Sequence, residues 1–116
     1  MKEEKCDISG IWEILGKRWS LHILRNLSTN GIVRFNELKR LLPGISSTVL
    51  SERLVELEHE GLITKKIYSE IPIRVEYSLT MRTTELESIL KQLSNWVDKW
   101  KYYEEKHKIT TDSINR

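Results

Sequence analysis

Cysteine and proline are scarce in this chain, with one cysteine, Cys6, and two prolines, Pro43 and Pro72, among 116 residues. A lone cysteine excludes an intrachain disulfide as the device that holds the fold. No apolar run approaches the roughly 18 residues that a membrane span requires. The opening MKEEKCDISG has no apolar segment of the signal-peptide kind. The expected address is therefore cytoplasmic, with no membrane partner. Metal-binding spacings are missing too: His22, His59 and His107 stand far apart, and neither HExxH nor CxxC occurs. Nothing resembles a phosphate-binding glycine loop or a nucleophile elbow. No metal, no cofactor and no catalytic activity are expected.

What is present describes a folded chain. Hydrophobic residues make up 39% and charged residues 31%, a balance that supports one small core rather than a disordered tail. The net charge of +2 conceals an uneven distribution. Residues 17–40 hold Lys17, Arg18, Arg25, Arg34, Lys39 and Arg40 against Glu37 alone, a local balance of +5. Residues 49–60 hold Glu52, Glu56, Glu58 and Glu60 against Arg53, a balance of −3. Nucleic acid would be drawn to the first segment and repelled by the second.

Periodicity divides the chain into four helices, two strands and a last helix. Ile8, Ile11, Trp12 and Leu15 fall at helical spacing with Gly16 as a stop. Leu21, Leu24 and Leu27 repeat the pattern until TNG ends it. Phe35, Leu38, Leu41 and Leu42 supply a third helix, broken by Pro43-Gly44. Ser46 offers the N-cap of a fourth, whose Leu50, Leu54 and Leu57 are the residues to bury, and Gly61 suits its left-handed close. Two short β-rich runs follow, LITKKIY and RVEYSL, joined through SEIPI, where Pro72 cannot donate to a ladder. A hairpin cannot stand alone and must pack on the helices. The expected fold is mainly α with a small β-hairpin, a winged helix-turn-helix.

That fold explains the polar face of the fourth helix. In a helix-turn-helix the second helix enters the major groove and its leading residues approach base edges. Ser46, Ser47, Thr48 and Ser51 are short hydroxyls at that leading end, flanked by Arg53. The acidic end at Glu56, Glu58 and Glu60 would point away from DNA. The competing reading is a winged helix used for protein–protein contact without sequence-specific DNA binding. It would want an exposed apolar face, and only Val49 and Val55 are apolar there.

The pieces LGKRW with ILRNL, RFNEL, GIS followed by LSERLVELEHEGLI, IP and VEYSLT stand in order from Cys6 to Trp100. In these the chain resembles the HxlR-type family of winged-helix transcription regulators. The resemblance implies a dimeric regulator of double-stranded DNA, with the helix from Ser46 in the major groove, the hairpin around Pro72 as the wing, and Arg34 near the DNA. Lys65 and Arg74 on the hairpin complete the expected DNA-facing set. Three positions depart from the family pattern: Asp7 follows the cysteine where proline is usual, Ile73 stands in the wing where a second proline is common, and Thr83 stands where glycine is usual after LT. Without that glycine, the last helix is expected to extend through Thr83 unbroken.

The last helix carries the partner argument. Leu86, Ile89, Leu90, Leu93, Trp96, Val97, Trp100 and Tyr103 form an apolar stripe at three-and-four spacing. With Ile8, Ile11 and Trp12 at the other end of the chain, it would leave too large an apolar surface for a monomer. The N- and C-terminal helices are therefore expected to form the interface of a homodimer. Residues 1–106 are expected to be one domain for DNA binding and dimerisation, and 107–116 a flexible tail. The family resemblance also makes Cys6 a candidate redox or electrophile sensor. A helix N-terminus and Lys2 and Lys5 would favour the thiolate, whereas Asp7, Glu3 and Glu4 oppose it. An inert thiol is the other reading. Effector and operator are not written in the sequence.

Overall fold

A computed structural model describes residues 10–106. Cys6 and Ile8 lie outside the described residues, as does the segment 107–116. The chain divides after Glu85 into two compact units.

In the first unit, helix α1 is present over residues 10–16. It is followed by α2 (Ser20–Asn30), a two-residue strand β1 (Val33–Arg34), α3 (Phe35–Leu41), α4 (Ser47–His59), β2 (Ile63–Tyr68) and β3 (Arg74–Leu79). A 3-10 turn, Arg82–Glu85, closes the unit. The antiparallel sheet has the order β1-β3-β2. β1 sets Val33 opposite Tyr77 and Arg34 opposite Glu76. β2 sets Ile63 opposite Leu79 and Tyr68 opposite Arg74. The hairpin expected from sequence is thus the larger part of a three-stranded sheet.

The core follows helical spacing closely. On α2 the buried residues are Ser20, Ile23, Leu24 and Leu27, one stripe at three-and-four spacing, with Leu21 turned out to solvent. Leu24 and Leu27 are buried as the spacing predicts, and Ile23 takes the place expected of Leu21. The same adjustment applies to α1, where Ile14 is buried and Ile11 and Leu15 are half-buried. Leu38, Leu42, Ile45, Leu50, Leu54 and Leu57 carry the core through α3 and α4, while Leu41 is exposed. α2 packs on β3, and α4 on β2.

The turns are held by specific bonds. The Ser46 Oγ accepts the Val49 N–H at 3.1 Å, satisfying an orphan donor of the first turn of α4. Gly61 adopts φ +74°, the left-handed position at the end of that helix. Arg82 donates to the Glu60 carbonyl at 2.7 Å and so covers the same end. Thr83 is buried, and its hydroxyl lies 2.7 Å from that of Thr80, which also donates to the Gly61 carbonyl at 2.9 Å. Thr83 is therefore a fastening in the 3-10 turn and does not extend the last helix as regular α-helix. A side chain that can bond locally stabilises the tighter turn instead.

The second unit contains α5 (Leu86–Lys106). Its buried residue is Leu90. Ile89, Leu93, Trp96, Val97, Trp100 and Tyr103 are exposed along it, Trp96 by 59% and Trp100 by 41%. Trp100 and Tyr103 meet edge to face with centroids 5.1 Å apart. No helix among the described residues is long and apolar enough to cross a membrane.

Candidate nucleic-acid interface

α3, the turn around Gly44 and α4 make the helix-turn-helix. Pro43 ends the first helix, Gly44 turns the chain at φ +96°, and Ser46, in extended conformation, starts the second. The buried leucines fix which side of α4 faces out. Ser47, Thr48, Ser51 and Glu52 are all exposed on that side. Ser46 is committed as the cap, but the hydroxyls of Ser47, Thr48 and Ser51 hold no hydrogen-bond partner among the described residues. α4 has no acidic residue in its first turn, so its positive dipole end carries no neutralising charge. Val55 is the exposed apolar residue of this face, and Val49 is half-buried.

The cations sort into two groups. Arg34 is exposed at the corner where β1 passes into α3. Arg74 begins β3 just after the wing tip. The structure brings them to one cleft of about 590 Å³, where Arg40 adds a third cation and Glu37 a carboxylate, with Pro72 and Ile73 from the wing. Arg40 was visible in the sequence only as part of the basic cluster; its place in the cleft follows from the fold of α3. Arg74 is the more constrained of the two arginines. It lies 3.1 Å from Glu70 and 3.6 Å from Glu76, and its guanidinium stacks 3.8 Å from the centre of the Tyr68 ring. Lys65 is exposed on β2, and Lys66 stands over the Tyr68 ring at 5.1 Å.

Arg53 is placed differently from the other members of the expected set. Its side chain is only 16% exposed. Its Nε donates to the Arg18 carbonyl at 2.9 Å and its Nη1 to Glu56 at 3.2 Å. Glu56 in turn accepts from Lys17 at 2.7 Å. Arg53 therefore turns toward the joint between α1 and α2, away from the hydroxyl face.

Three stranded β-structure behind a helix-turn-helix, with uncommitted hydroxyls on its second helix and arginines beside its wing, defines a winged helix-turn-helix transcription regulator. Residues 14–105 match the HxlR-like helix-turn-helix family, and the chain belongs to it. It is 46% identical over 88 residues to the HTH-type transcriptional regulator YvaP of Bacillus subtilis strain 168, covering 76% of this chain and 81% of that one. Among solved structures it is similar to the redox regulator HypR in its reduced form, with TM-score 0.75, 30% identity, and coverage of 85% of this chain and 97% of that one. It is likewise similar to a MarR-family regulator from Porphyromonas gingivalis W83, with TM-score 0.70, 38% identity, and coverage of 80% and 90%.

Proposed function

We propose that the protein regulates transcription as a homodimer bound to a pseudo-palindromic operator, with α4 in the major groove and the wing on backbone or minor groove. The observation that carries this reading is the exposed leading face of α4, where Ser47, Thr48 and Ser51 are free to bond to bases or phosphates. Arg34, Arg74 and Lys65 supply phosphate contacts around it, and Ser46 contributes as the cap that shapes the leading turn. Ile11 and Trp12 on α1 and Leu93, Trp96, Trp100 and Tyr103 on α5 are the dimer surfaces, with Ile8 added from sequence.

Selection of binding sites from random duplexes with purified protein tests this reading. The expected product is a dyad-symmetric sequence whose half-site centres lie about 10–10.5 base pairs, or a multiple, apart. Selection of no sequence at all would favour a protein partner instead.

Cys6 is assigned as an inert thiol. HypR is described as a redox regulator in reduced and oxidised forms, but here an acidic residue, Asp7, follows the cysteine in the sequence, and a neighbouring negative charge disfavours a thiolate. Cys6→Ser is expected to bind operator as the parent does, with and without peroxide or a quinone. Release of the parent by oxidant, with Cys6→Ser unaffected, would make Cys6 the sensor.

A further inference from the structure

The joint between α1 and α2 is an unusual piece of backbone. Trp19 adopts φ +82° and ψ −18°, the left-handed conformation, which is an outlier for a bulky residue. Such a conformation persists where its surroundings over-determine it. Here the Arg18 guanidinium lies 5.0 Å from the centre of the Trp19 ring, and His22 meets that ring edge-on at 5.7 Å. A Cβ placed on Gly44 would stand 4.0 Å from the Trp19 ring, so the indole also reaches the turn before α4.

The left-handed turn aims the Arg18 carbonyl at α4, where the Nε of Arg53 takes it at 2.9 Å. Glu56, one turn along, joins Arg53 to Lys17. Farther along α4, a Cβ on Gly10 would stand 2.9 Å from the Glu60 carboxylate, so α1 approaches the far end of the same helix closely. α1 thus runs back along α4, from Glu60 at its start to Arg53 at its end. Trp12, 73% exposed, remains free on α1. Lys17 and Glu56 are substantially solvated, with side chains 44% and 30% exposed, so their ion pair adds little stability. The function of the arrangement is geometric.

We propose that Arg53 is a positioning residue for operator binding: it fixes the angle of α4 against α1, so that the spacing of the two recognition helices follows the packing of α1 in the dimer. This rests on the dimeric DNA-binding reading given above. The guanidinium is suited to the task because its planar fork bonds the carbonyl and the carboxylate together, which a lysine's single ammonium cannot reproduce.

The test uses the full chain, its selected operator, and duplexes in which the centre of that operator is lengthened or shortened by one base pair. Each change turns one half-site against the other by roughly a tenth of a helical turn. The parent is expected to favour the selected spacing strongly. Arg53→Lys is expected to lose about fivefold or more of that preference, the scale of ordinary coupling between sites. Its preference for the correct base within a half-site should stay as in the parent. A general loss of stability would weaken all duplexes alike and leave the ratio unchanged. Arg53→Met, which keeps the length of the stem but donates to neither the Arg18 carbonyl nor Glu56, is the second variant; circular dichroism establishes folding for both, and Arg53→Met takes the place of Arg53→Lys if the latter fails to fold. An unaltered spacing preference in the folded variants overturns the proposal. A parent that selects no dyad operator overturns the dimeric reading instead, so the two failures are distinguishable.

Discussion

At the scale of single residues, reading and anchoring are separable. Thr48 and Ser51 present uncommitted hydroxyls on the exposed face of α4. Replacing either with Ala is expected to alter preference between operators by roughly 1–3 kcal/mol at the affected base, measured by competition between duplexes. Arg34 is expected to anchor. Arg34→Ala should weaken binding to every sequence alike and lower the slope of affinity against salt by about one. Arg74 should give a smaller change in that slope, since Glu70 and Glu76 already share its charge. The hydroxyl face was legible in the sequence because its residues are short, polar and opposite the leucines. The inward turn of Arg53 was not. It depends on a carbonyl 35 positions away, aimed by a left-handed tryptophan for which no local residue pattern exists.

Among the elements, the long ones were legible and the short ones were not. α4 was bounded correctly by Ser46 and Gly61 because a cap and a left-handed close each have a chemical signature. Ser46→Ala is expected to cost about 0.5–2 kcal/mol in denaturant unfolding, from the lost bond to the Val49 N–H. An unfolding midpoint equal to the parent's would show that water caps the helix as well as Ser46 does. β1 escaped notice because two residues have no period. It becomes a strand only through its pairing with β3, a contact across more than forty residues. The exchange of Leu21 for Ile23 in the stripe of α2 has a related reason. Leu21 and Ile23 are equally apolar, and only the packing partner on β3 decides between them. Tyr77, at the middle of that strand, shows how closed the packing is: burial first, then the negative charge of Glu58, pushes its hydroxyl above the ordinary tyrosine range.

For the whole molecule, the apolar surface of α5 is the dominant feature. Positions 89, 93, 96, 100 and 103 follow the alternating four-and-three spacing by which helices interlock with one another. Light scattering should give twice the chain mass at micromolar concentration, and Trp100→Glu should lower both the dimer fraction and the affinity for operator. A variant still dimeric, with unchanged affinity, would place the interface elsewhere. The sheet has a different consequence. In the order β1-β3-β2, the second strand lies at the rim and offers six residues of backbone along its open side. An open rim invites another chain to add its own strand, and a row such as Ile63, Ile67 and Tyr68 alone would encourage it. Lys65 and Lys66 stand in the middle of that rim. Their like charge repels any second rim brought alongside, so the charge that would draw the wing to DNA in the proposed complex also opposes edge-to-edge stacking of the free protein.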